Sequence, residues 1–166
     1  QLYKSLTLPI LEYCSVLWCP LSVGDIQKLE SIQYSFIRKI TGTRNMDYWK
    51  CLKELKLYSL ERHCERHRII YTWKILEKLV PNINNGIKSK SHPRLGRKCI
   101  IPTQTASKYS KIRDSSFSMH ALKLFNALPR EIRDITNVPL TQFKKALDSH
   151  LSLSLIHISE PTRRVL

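Results

Sequence analysis

Acidic residues are scarce in this chain. Thirteen Asp and Glu stand against twenty-eight Lys and Arg in 166 residues, a formal net charge of +15. From Lys78 to Arg113 there is no acid at all, while nine Lys and Arg fall in that stretch. The five aspartates, Asp25, Asp47, Asp114, Asp134 and Asp148, stand apart and no Asp-Asp pair occurs. Two-metal nucleotidyl transfer needs neighbouring carboxylates to hold its cations, so the chain alone is not expected to polymerise nucleotides. Glycine is equally sparse: Gly24, Gly42, Gly86 and Gly96 build no phosphate-cradling loop. The cysteines, Cys14, Cys19, Cys51, Cys64 and Cys99, are odd in number and show no repeated close pair. That pattern favours reduced thiols inside a cell over a disulfide framework. No signal peptide is visible in these residues. The longest apolar stretch, Ser5 to Val23, carries Glu12 in its middle and is interrupted by Pro9 and Pro20, which fits a buried helix rather than a membrane span.

What is present is apolar residues at 42%, enough for a folded interior, with a large cationic excess. Such an excess calls for a polyanionic partner, and nucleic acid is the commonest one. A membrane surface would favour one basic amphipathic helix. Here the charge is spread along the chain.

The apolar periodicity gives a mainly α fold. A first helix spans Leu2 to about Trp18 with a weak point at Pro9, and Pro20 ends it. Asp25 caps the next, in which Ile26, Leu29, Ile32 or Gln33, Phe36, Ile37 and Ile40 form the stripe, with Gly42 as its stop. A short helix runs from Asp47 to Leu55, with Tyr48, Cys51, Leu52 and Leu55 on one side. Ser59 caps a long helix to about Leu79. Its apolar face follows Leu60, Cys64, His67, Tyr71, Lys74 and Ile75, widened by Ile70 and Trp73. Glu61, Arg62, Glu65, Arg66 and Arg68 mark its wet face. The stretch from Asn82 to Gly96 reads as loop, and residues 98–102 as a short strand. Ser115 or Ser116 caps a helix to about Ala127, broken by Pro129. The last helix runs from Pro139 to Leu151. The expected layout is a thumb-like helical region at 1–79, a basic link at 80–113 and a small helical region at 114–152. The two helical halves are expected to pack together, since neither is large. Trp18, Trp49, Trp73, Phe117, Phe125 and Phe143 are assigned to the core.

Candidate chemistry narrows quickly. His63 and His67 lie four apart on one helix with Cys64 between them, a spacing that two zinc ligands can share. No third ligand is near in sequence, and packed histidines and thiols are the plainer reading. No nucleophile sits in a recognisable elbow. What remains is contact with a nucleic-acid backbone. Lys88, Lys90, Arg94, Arg97, Lys98, Lys108, Lys111 and Arg113 of the acid-free stretch can each neutralise a phosphate. Arg38, Lys39 and Arg44 are further candidates, and Tyr109 and His92 could stack on bases. The plainer reading of the acid-free stretch is a solvated basic loop.

Several phrases in order carry a family resemblance. They are Leu2-Tyr3-Lys4-Ser5-Leu6 through Pro9-Ile10-Leu11-Glu12-Tyr13-Cys14-Ser15 to Trp18, and Asp25-Ile26-Gln27-Lys28-Leu29-Glu30-Ser31-Ile32-Gln33 with Phe36, Arg38 and Ile40. Next come Leu57, Ser59-Leu60-Glu61-Arg62 with Arg66, and Tyr71-Thr72-Trp73-Lys74-Ile75-Leu76. Arg113-Asp114-Ser115-Ser116-Phe117, Asn126-Ala127-Leu128-Pro129, Ile132 and Phe143-Lys144-Lys145-Ala146-Leu147 complete the set. Over residues 1 to 151 this resembles the part just past the catalytic core of LINE-type, jockey-like non-LTR retrotransposon reverse transcriptases. Phe125-Asn126 stands where that family usually shows Trp-Asn.

The resemblance implies a thumb at residues 1–79 that grips a template–primer duplex, with catalytic aspartates upstream of Gln1. It implies a fragment that is not an enzyme and holds no cofactor, within a magnesium-dependent RNA-directed DNA polymerase. The implied partners are template RNA, primer DNA and an upstream palm domain, with no membrane. The implied location is intracellular, with nuclear access. A free-standing basic RNA- or DNA-binding protein and a decayed, functionless element fragment are the alternatives. Leu153 to Arg163 resembles the conceptual translation of a transposase sequencing adapter, so residues 153–166 are set aside as a non-native tail.

Overall fold

Pro9 does not break the first helical segment in the computed structural model, which describes residues 2–40, 45–80, 87–90, 99–102 and 116–157. A π-helical turn, Tyr3–Thr7, leads into α1, Leu8–Glu12, where Pro9 occupies the first turn and has no intrahelical donor to lose. The break falls instead at Cys14, which adopts a left-handed conformation with φ 52°. The short helix α2, Ser15–Trp18, follows it. The next helix, α3, is Val23–Ile37. Its N-cap position is Ser22, with Asp25 in the first turn rather than at the cap. There the carboxylate still lies at the positive end of the helix.

Side-chain caps open the next two helices, and of the two only Ser59 is named as a cap in the sequence reading. Asp47 accepts a hydrogen bond from the Trp49 amide at 3.1 Å and opens α4, Tyr48–Glu54. Ser59 accepts from the Arg62 amide at 3.2 Å and opens α5, Leu60–Leu76. Each supplies an acceptor to an amide with no partner in its own helix. Both helices then close in the same way. Lys56 (φ 51°) and Lys78 (φ 59°) take the left-handed position. Beyond them, Leu57 N–H returns to Leu52 C=O and Leu79 N–H to Lys74 C=O, each at 2.9 Å. These are Schellman closures made with lysine where glycine is commonest.

Two strands, β1 (Ile87–Lys90) and β2 (Cys99–Pro102), pair antiparallel, Ile87 opposite Pro102 and Lys90 opposite Cys99. β2 is the expected strand. β1 corrects the reading of 82–96 as loop: its partner lies beyond the turn signals, so its pairing is not a local property. Further on are α6 (Phe117–Asn126), α7 (Arg130–Arg133) and α8 (Leu140–His157). Ser116 takes the N-cap position of α6. The α7 turn was not anticipated, and α8 runs six residues past Leu151. The fold is mainly α, as expected.

Packing divides the chain into two units, Gln1–Ala127 and Leu128–Leu166. In the first, Tyr3, Ile37, Cys51, Leu52 and Leu57 form a buried cluster, with Phe36, Tyr48, Trp49 and Leu55 against it. Along α5, Leu60, Cys64, Ile69, Ile70 and Trp73 are buried. α6 packs on α5, with Tyr71 and Phe117 edge to face at 5.5 Å, and β2 also packs on α6. In the second unit α7 packs on α8, and Ile132, Phe143, Leu147 and Leu151 are buried.

Two residues, Trp18 and Arg68, depart from their expected sides, and the open choice between Ile32 and Gln33 is decided. Trp18, assigned to the core, is 43% exposed, its indole N–H donating to the Tyr13 carbonyl. Gln33, not Ile32, is the buried member of the α3 stripe, its amide donating to the Tyr58 carbonyl at 3.0 Å. Arg68, placed on the wet face of α5, is 4% exposed and donates from Nη2 to the Cys19 carbonyl at 2.6 Å. In the last two cases a loop or helix-end carbonyl needs a donor, and a polar side chain reaches it from a helix.

Candidate nucleic-acid interface

The cations at the end of α3 are held on a rigid base. Arg38 follows the last turn of the helix, is exposed, and lies with its guanidinium carbon 4.8 Å above the centre of the Tyr34 ring. That stacking orients the planar fork without using up its donors. Tyr34 meets Tyr48 of α4 edge to face at 5.4 Å. The Tyr48 hydroxyl donates to Glu30 Oε2 at 2.5 Å, and Glu30 Oε1 accepts from the Glu61 amide at 2.8 Å, at the start of α5. A chain of contacts therefore ties the perch of Arg38 to three helices.

The electrostatics keep the buried phenols of that base protonated. Burial, then the charge and hydrogen bond of Glu30, push the Tyr48 phenol far above its ordinary value. Tyr3 is pushed up to about 12 by burial, then by the Glu30 and Glu12 charges. Both phenols stay protonated at neutral pH. Glu30 thus acts as an internal acceptor for a phenol and a helix N-terminus.

Lys39, next to Arg38, is also exposed. Neither makes an ion pair among the described residues. By contrast, Lys28 meets Asp25 at 3.3 Å and Arg62 meets Glu65 at 2.8 Å. Of the other candidates, Lys88 and Lys90 lie on β1, opposite Ile101 and Cys99. Arg44, Arg94, Arg97, Lys98, Lys108, Lys111 and Arg113 lie outside the described residues, as do His92 and Tyr109.

The structure also turns three unanticipated cations outward. Lys50, Lys53 and Lys56 on and after α4 are exposed, while Cys51 and Leu52 face the core. The signal for them was available, since lysines three apart alternate with the apolar pair on one short helix. Glu54 is exposed among them. Arg68 belongs to the interior and offers nothing to a ligand at this surface.

Neither metal nor nucleophile chemistry emerges from the histidines. His63 Nδ1 meets Glu12 Oε1 at 2.5 Å, and His67 Nδ1 meets Ser15 Oγ at 2.8 Å. The two imidazoles are 6.4 Å apart, each engaged by a different residue, and Ser15 is only 2% exposed. Among the described residues no group of three or more His, Cys, Asp or Glu could hold a metal ion. No family model matches the chain, and neither a curated protein nor a solved structure is similar to it. No described helix is long and apolar enough to cross a membrane.

The cysteines bring one correction. Cys19 and Cys64 are joined as a disulfide, their Cα atoms 6.1 Å apart, whereas reduced thiols were expected throughout. Spacing along the chain cannot show this pair, because 45 residues separate the two. Cys14, exposed, and Cys51, buried, are not disulfide-bonded.

Proposed function

We propose that this chain is the non-catalytic, duplex-gripping part of a LINE-type reverse transcriptase, contacting template RNA and primer DNA through their backbones. The observation that carries the reading is the exposed Arg38, stacked on Tyr34 above Tyr48 and Glu30, with exposed Lys39 beside it and no ion pair to either among the described residues. Preset cations of this kind lose little side-chain freedom on meeting phosphates. The net charge of +15 and the ordered family phrases support the same reading. Binding of this type is electrostatic and indifferent to sequence, because phosphates position a protein and base edges specify it. Nucleotidyl transfer is assigned to an upstream palm, in keeping with the absence of paired aspartates here.

The test is equilibrium binding of the whole chain to a short RNA–DNA hybrid at low salt. The double variant Arg38→Glu/Lys39→Glu is expected to bind about tenfold or more weakly, since two phosphate contacts become repulsions. Circular dichroism checks that the variant folds. A folded variant with unchanged affinity contradicts the assignment of this pair.

A further inference from the structure

The segment containing α1 and α2 is held on α5 by four contacts that fall within two successive turns of that helix. His63 meets Glu12, Cys64 is bonded to Cys19, His67 meets Ser15, and Arg68 donates to the carbonyl of Cys19. Residues 63, 64, 67 and 68 present two adjacent i,i+4 rows, so the four anchors form one seam. Three of them are hydrogen bonds or ion pairs that form whatever the redox state of the sulfurs. The fourth is covalent. It lies in the wall of a cavity of about 100 Å³ lined also by Pro20, Arg68 and His120. Arg68 is one helical turn from Cys64 and donates to the Cys19 carbonyl, tying the backbone beside the sulfur to α5. The segment also has a joint at its inner end, the left-handed residue Cys14 between α1 and α2.

We propose that Cys19–Cys64 is a reversible redox latch: a disulfide that fastens residues 15–21 to α5 when oxidised and lets them loosen, without unfolding the chain, when reduced. The co-reactant is a low-molecular-weight thiol of the glutathione class. Its thiolate attacks one sulfur of the pair, breaking the S–S bond and forming a mixed disulfide while the other cysteine leaves as thiolate and takes a proton. A second thiolate of the same class attacks the small-thiol sulfur of the mixed disulfide, forming the small disulfide while the protein cysteine leaves as thiolate and takes a proton. Cys19 and Cys64 together gain two electrons and two protons, and two small thiols become one disulfide. The oxidised form of the reagent runs the sequence backwards. Reversible pairs of this kind are what intracellular disulfides usually are. The latch does not depend on nucleic-acid binding.

The test uses the whole chain, equilibrated with reduced or oxidised glutathione and quenched by alkylation. Peptide mapping of the oxidised sample is expected to yield Cys19 linked to Cys64, with Cys14 in neither half of that link. In the reduced sample Cys19 and Cys64 are both alkylated. Amide hydrogen exchange across residues 15–21 then rises about tenfold, while α5 amides change by less than about twofold. Returning the sample to oxidised glutathione restores the slow exchange. The Cys64→Ser and Cys19→Ser variants exchange at the reduced rate and ignore the reagent. If neither variant folds, the wild-type comparison decides alone. A link from Cys19 or Cys64 to another cysteine, unchanged exchange on reduction, or global unfolding on reduction overturns the proposal.

Discussion

Glu12 is the acid that makes the seam between α1 and α5 sensitive to pH. Burial pushes its carboxyl up, but the hydrogen bond with His63 and the charges of His63, His67 and Arg66 outweigh burial and hold it below the ordinary value of 4.5. A carboxyl with a depressed folded-state value contributes stability that is present above its unfolded value. That contribution fades as pH falls through 4.5 and is gone below the depressed folded value. Glu61 acts in the opposite sense. Burial first, then the Glu65 and Glu30 charges, raise it, so its protonation favours the folded state as pH falls. The comparison that isolates Glu12 is therefore a variant. Glu12→Gln is expected to be less stable than wild type at neutral pH, with the gap closing as pH drops below 4.5. Thermal unfolding across that range measures the gap. A gap that stays constant with pH removes the His63 partnership as the cause. None of this was legible in the sequence beyond the presence of an acid in an apolar stretch. The same holds for Arg68, because periodicity registers a charge and cannot register the remote Cys19 carbonyl that receives it.

At the scale of elements, local chemistry was readable and long-range pairing was not. Ser59 announced α5 because a cap acts within three residues of itself. Ser59→Ala is expected to lower the unfolding free energy by about 1 kcal/mol, the usual value of a lost cap. Urea denaturation measures it, and an unchanged midpoint contradicts the capping role of the 3.2 Å bond to the Arg62 amide. The break between α1 and α2 went unread for a complementary reason. Pro9 is the obvious punctuation, but in a first turn it costs nothing, and the true joint needs a left-handed residue that happens to be Cys14. β1 and the Cys19–Cys64 bond depend on partners several to dozens of residues away, and no local pattern encodes them.

For the whole molecule, charge was the most legible property and its placement the least. The totals are plain in the composition, yet they do not say that Arg38 sits on Tyr34 or that Lys50, Lys53 and Lys56 face outward. They also do not say that one arginine, Arg68, is spent on the interior. A +15 chain that grips a nucleic-acid backbone must release counterions on binding, and that release has a thermodynamic signature. The most direct measurement is the dissociation constant of the whole chain for a short RNA–DNA hybrid as a function of salt. With three or more phosphates neutralised, the plot of log affinity against log salt is expected to fall with a slope of about −3 or steeper. A folded chain that does not bind at low salt, or binds with an affinity indifferent to salt, contradicts the account.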